Sequence, residues 1–123
     1  MAAPTKAGVS EFVKAAHGDL PKIQRMLAAK PEMLLLPSGN ETALGAACQM
    51  RRGDIITFLL GQGECVDISA TCVLGLSEQV SAFLDADPSL LSQGSKRAHN
   101  RYPLCFAEGQ PEVLALLKAR GAK

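Results

Sequence analysis

Shifted by 57 positions, the chain lies on itself: Gly18 falls on Gly75, Ile23 on Val80, Met26 and Leu27 on Phe83 and Leu84, Ala29 on Ala86, Pro31 on Pro88 and Leu34 on Leu91. A second set of matches follows, Asn40-Glu41-Thr42-Ala43-Leu44 against Asn100-Arg101-Tyr102-Pro103-Leu104 at a shift of 60, then Gly63 against Gly121 at 58. The small insertions and deletions nearly cancel, so the chain reads as two copies of a unit of about 57 residues. Such a period narrows the possible folds sharply, because each copy must solve the same packing problem with its neighbours as partners.

Spacing within the copies predicts helices. Ile23, Met26 and Leu27 form one apolar stripe, Ile55, Ile56, Leu59 and Leu60 a second, Val80, Phe83 and Leu84 a third, and Val113, Leu114, Leu116 and Leu117 a fourth. Thr42 and Ser77 mark helix starts, as do Pro21 and Pro111, whose missing N–H does no harm in a first turn. Gly63 and Gly121 suit left-handed helix ends, and Pro31 and Pro88 cannot continue a helix. Each unit thus holds two helix pairs. Four pairs are expected, at 9–34, 42–63, 66–91 and 102–121, within a single domain spanning 1–123. Pairs this short cannot bury an apolar face alone, so the expected fold is all-α: about eight short helices in a solenoid of stacked antiparallel pairs. Composition fits thin aliphatic layers, with 47% apolar residues but only four Phe, one Tyr and no Trp.

The second pair carries Thr42-Ala43-Leu44-Gly45-Ala46-Ala47 and then Gly53-Asp54-Ile55-Ile56-Thr57-Phe58-Leu59-Leu60-Gly61-Gln62-Gly63. This resembles the ankyrin repeat, whose pattern opens Thr-Pro-Leu-His and closes Leu-Leu-x-x-Gly. The fourth pair, from Tyr102-Pro103-Leu104-Cys105 to Gly121-Ala122, is similar, with about two residues missing from its first helix. The third resembles the Pro-ended variant of bacterial ankyrin-like proteins. Leu27 to Leu60 and Leu84 to Leu117 are both 33 residues, one repeat length. Leu60 to Leu84 is only 24, which implies that the connection through Glu64-Cys65-Val66 has lost its hairpin. The likeness, to a degenerate ankyrin-repeat protein of about four repeats, runs from about Glu11 to Ala122. Two departures stand out: Gly45 and Cys105 replace the family's His, and Gly45 inside a helix is expected to cost about 1 kcal/mol relative to Ala.

Thirteen basic and twelve acidic residues leave a net charge of +1, so no strong overall field draws the chain to nucleic acid or anionic lipid. Met1 to Val9 lacks the apolar run of about seven residues that a signal peptide needs, and no stretch approaches the roughly eighteen that span a bilayer. A cytoplasmic protein without membrane insertion is expected. Cys48, Cys65, Cys72 and Cys105 contain no Cys-x2-Cys pair, and His17 and His99 are the only histidines. No metal, cofactor or catalytic site is expected, and the cysteines read as small buried packing residues. Cys48 and Cys72, in equivalent seats of neighbouring pairs, lie too far apart for a disulfide. His17 at a helix end and His99 in a distant loop do not form a base with its orienting acid. No Gly-rich loop precedes a helix to hold phosphate. Arg52-Gly53-Asp54 matches a cell-adhesion tripeptide, but the repeat already requires a turn there.

The expected function is a non-catalytic scaffold for a protein partner. Lys96, Arg97, His99 and Arg101, with Arg51 and Arg52 one unit earlier, suit an acidic patch on that partner; nucleic acid is disfavoured because no row of aromatics accompanies the charges. The ankyrin likeness implies that loop tips and exposed first-helix positions line a concave binding side. It points to Ser38, Gly39, Glu41, Gln49 and Met50 in the second pair and to Ala98, His99 and Arg101 in the fourth. Tyr102 is either a helix cap or a contact. Asn40 and Asn100 take the family's Gly position, where Asn tolerates a positive φ. A self-associating homodimer is the alternative, and a small-molecule or metal enzyme a third possibility.

Overall fold

The computed structural model describes residues 4–122, and its secondary structure is helical throughout, with only isolated β-bridges among the described residues. The helices are α1 (Lys6–Ala15), α2 (Leu20–Ala29), α3 (Ala43–Gln49), α4 (Gly53–Gly61), α5 (Ile68–Leu74), α6 (Ser77–Ala86), α7 (Pro103–Phe106) and α8 (Pro111–Ala119). Short 3-10 turns at Pro31–Met33 and Pro88–Ser92 follow α2 and α6. Both prolines follow the ends of their α-helices as expected: Lys30 and Asp87 leave the helical region, at φ −141° and −147°, before each proline opens its 3-10 turn.

Helix starts follow from side-chain oxygens that satisfy orphan N–H groups. Thr5 accepts from Gly8, Asp19 from Lys22, Thr42 from Gly45 and Asp67 from Ala70, at 2.8–3.2 Å. Each such cap contributes about 1 kcal/mol. Ser77 is not a cap: Leu76 holds that position in α6 and makes no side-chain bond. Gly63 and Gly121 have φ of 106° and 102°, as left-handed helix ends require.

The helices of each successive pair touch, and the first helices contact one another in the order α1, α3, α5, α7; α6 packs on α8. This row explains the burial. Every residue from Ala43 to Cys48 in α3 and from Ile68 to Val73 in α5 is buried, because these helices have neighbours on both flanks as well as a second helix. Small side chains such as Ala43, Ala46, Ala47, Ser69 and Ala70 let the helices approach closely. The second helices bury one stripe each: Ile23 and Leu27, Ile55 with Ile56 and Leu59, Val80 and Leu84, Val113 and Leu117. A fully buried Leu or Ile in such a stripe contributes about 2 kcal/mol. Among the described residues no helix is long and apolar enough to cross a membrane.

The loops depart from a regular row in one place. A bridge pairs Ser38 with Glu41 before α3, and another pairs Ser95 with Arg101 before α7, but the connection before α5 has none. The short 24-residue step already implied this loss. The loop before α7 reaches past the third pair to the loop before α3: Thr42 donates to the Arg97 carbonyl at 2.9 Å and His99 donates to the Asn40 carbonyl at 3.0 Å. A Cβ on Gly45 would lie 1.7 Å from the Arg97 carbonyl oxygen, so only glycine admits this crossing. Gly45 is therefore not a helix defect to be tolerated; it is the seat of the loop. Asn100 takes a positive φ of 59° as expected, and His99 joins it at 53°. Asn40 does not: Gly39 supplies the left-handed residue of the earlier loop, at 62°.

Candidate functional site

The loop crossing gathers side chains from three pairs. His17 lies just beyond the end of α1, Glu41 in the loop before α3, Gln49 at the last residue of α3, and His99 and Arg101 in the loop before α7. Glu41 is buried, and its Oε2 accepts from the Gln49 amide while lying 3.2 Å from His17 Nε2 and 3.6 Å from His99 Nε2. Arg101 Nε donates to Gln49 Oε1 at 3.2 Å. His17 and His99, separate in the sequence reading, thus converge on one carboxylate. Chain separation hid this, since 24 residues divide His17 from Glu41.

The expected contacts divide into three groups. Gly39, Met50, Arg51, His99, Arg101 and Tyr102 are exposed, and Met50 and Tyr102 are more than half so, at 54% and 55%. Tyr102 stands at the start of α7 without a side-chain cap bond, which leaves it free as a contact. Ser38, Gln49 and Arg52 are half-buried. Ala98 and Glu41 correct the expectation. Ala98 is fully buried under the loop crossing and offers a partner nothing, while Glu41 is turned inward to its polar neighbours.

Several of the basic residues are already engaged. Arg97 pairs with Asp67 at 3.0 Å and with Glu64, whose side chain is 1% exposed. It fills the place left by the missing hairpin, so it is a structural cation. Glu64 also accepts from the Cys65 amide, and its Oε2 has no partner. Sequence patterning missed this buried acid because it sits in a short polar connection. Arg52 grips both oxygens of Asp54 and donates to the Gly18 carbonyl at 3.0 Å. The side-chain hydrogen bond from Arg52 holds the Asp54 carboxyl below its usual range. The Arg-Gly-Asp tripeptide is thereby closed on itself. Arg51 lies 3.4 Å from Glu108, which joins the end of α3 to the turn after α7.

Cys48 and Cys72 are buried packing residues, and burial pushes the Cys48 thiol well up and the Cys72 thiol to about 12. Cys65 and Cys105 are exposed, contrary to the expectation for all four. Cys65 lies in a connection, and Cys105 lies on the outer helix α7, where Arg101 Nη1 approaches its Sγ at 4.0 Å without burying it. Among the described residues no group of three or more His, Cys, Asp or Glu side chains is placed to hold a metal ion.

No family model, no curated protein and no solved structure matches this chain. The geometry therefore carries the functional reading.

Proposed function

We propose that the chain is a degenerate ankyrin-type solenoid that acts as a non-catalytic scaffold, binding a protein partner through its loop and first-helix ends. The observation that carries this reading is an exposed region around Met50, Arg51 and Arg101, with Tyr102 exposed next to Arg101 in the chain. The Arg101–Gln49 bond and the Arg51–Glu108 pair hold it together across the second and fourth pairs. Met50 and Tyr102 offer adaptable apolar and aromatic area, the kinds of side chain that anchor interfaces. Arg101, bonded here to a neutral amide, keeps its charge available to an acidic group on the partner.

The test is affinity capture from the native lysate with the wild-type chain and with a Met50→Ala, Arg101→Glu double variant, followed by binding measurements on the purified proteins. A partner that binds the wild type and is lost on the variant supports the proposal. Undiminished binding by the variant, or a light-scattering dimer that the same two substitutions dissolve, replaces it with another surface or with self-association.

A further inference from the structure

The two copies of the repeated unit treat the cleft between their second helices in opposite ways. In the second copy α6 packs on α8, and Arg120, at the end of α8, reaches back to α6 to donate to Ser81 Oγ at 2.8 Å and to Asp85 Oδ1 at 2.9 Å. A cavity of about 70 Å³ is left there, lined by Arg120 with Leu84, Pro88 and Leu91. The first copy carries the same apolar lining at a shift of 57, as Leu27, Pro31 and Leu34. Its closing elements differ. Gln62 stands where Arg120 does, at a shift of 58, and Gln24 and Ala28 stand where Ser81 and Asp85 do, at 57. Gln62 is shorter than arginine and Ala28 offers it no acid, so the cleft between α2 and α4 stays open, with a volume of about 460 Å³.

We propose that this open cleft binds a small uncharged aliphatic amide, an alkyl chain with an amide head. Its volume lies in the range of small-molecule sites, which combine an apolar lining with a few polar groups. Leu27, Leu34 and Phe58 supply apolar surface, extended by Ala28 and Pro31. Gln24 and Gln62 complete the lining, and a carboxamide both donates and accepts, as an amide head requires. None of these side chains is ionisable, so a charged head would give up water there without gaining a counter-charge. The sister cleft shows what the shape accepts: it is filled by an arginine, an alkyl stem whose cationic head is held on Asp85. With Ala28 in place of that acid, the first cleft keeps the seat for a stem and lacks the charge that selects a cation. The cleft has no residue in common with the surface around Met50 and Arg101, so the two proposals stand or fall separately.

The test is an NMR titration of the intact chain with N-hexylacetamide and, separately, with n-hexylguanidinium, which has the same stem and a cationic head. The expected result is saturable binding of the amide, with a Kd of about millimolar, as suits a ligand of about ten heavy atoms. Its shifts should centre on the backbone amides of Leu27, Ala28, Phe58 and Gln62, while those of Leu84, Asp85 and Arg120 in the filled cleft stay in place. The guanidinium should bind the open cleft at least about tenfold more weakly. Ala28→Leu, at an exposed position of α2 where leucine suits a helix, should fill the cleft and weaken amide binding at least about tenfold. The two wild-type titrations decide the matter if that variant folds poorly. Shifts that never saturate, equal shifts in both clefts, equal affinity for the cation, or undiminished binding by a folded Ala28→Leu would overturn the proposal.

Discussion

The loop and first helix of the second pair and those of the fourth descend from one sequence pattern, yet they behave differently. Asn40-Glu41-Thr42-Ala43-Leu44 leads into a capped helix of seven residues, while Asn100-Arg101-Tyr102-Pro103-Leu104 leads into an uncapped one of four. The first is held between neighbours on both flanks; the second ends the row of first helices. Its loop is held from a distance, by Arg97 on Glu64 and Asp67 and by backbone bonds to Asn40 and Thr42. An interior pair is fixed by its own caps and core, and a terminal pair by what its loop can reach. In this chain the lost third hairpin leaves room for that reach.

The sharpest way to break the comparison is Gly45→Ala. Helix propensity alone predicts a gain of about 1 kcal/mol. The Arg97 carbonyl, 1.7 Å from the new Cβ, predicts instead a loss of about 3 kcal/mol in urea unfolding, because the loop must leave its seat or α3 must shift. The opposite signs make the result decisive. Arg97→Met should follow in size, costing about 2–3 kcal/mol, since it leaves Glu64 buried without its cation; the partial exposure of Arg97 keeps the loss below that of a fully enclosed pair. Next come the caps. Thr42→Ala should cost about 1 kcal/mol, whereas Tyr102→Thr should be neutral or gain a few tenths, because α7 has no side-chain cap to lose. Smallest in energy is the thiol contrast. A chromogenic disulfide reagent should modify Cys65 and Cys105 quickly in the native chain and leave Cys48 and Cys72 until it unfolds, their burial and raised thiol affinity for the proton acting together. Fast reaction at all four would mean that α3 and α5 are not enclosed as described.

Much of this fold could be read from spacing. The stripes Ile55-Ile56-Leu59 and Val113-Leu117 are local, and helical period places them on one face whatever lies opposite. The missing hairpin was legible too, as a deficit in the distance from Leu60 to Leu84. What sequence could not supply were contacts between segments far apart in the chain. Gly45 reads as a weak helix residue until the Arg97 backbone is set against it, and Arg97 reads as one more exposed cation until Glu64 is found beneath it. The candidate site shared this fate. Met50, Arg101 and Tyr102 were expected at the surface and are there, but Ala98 is covered by its own loop and Glu41 is drawn in by two histidines whose meeting no local pattern encodes.

Everything distinctive about the surface rests on the loop before α7 lying against the loop before α3, and amide hydrogen exchange at Thr42 and His99 reads that contact directly. Both amides should be protected in the wild type, and both should lose protection together in Gly45→Ala while the amides of α4 and α6 keep theirs. Exchange at unprotected rates in the wild type, with the helices intact, would contradict the crossing of the loops.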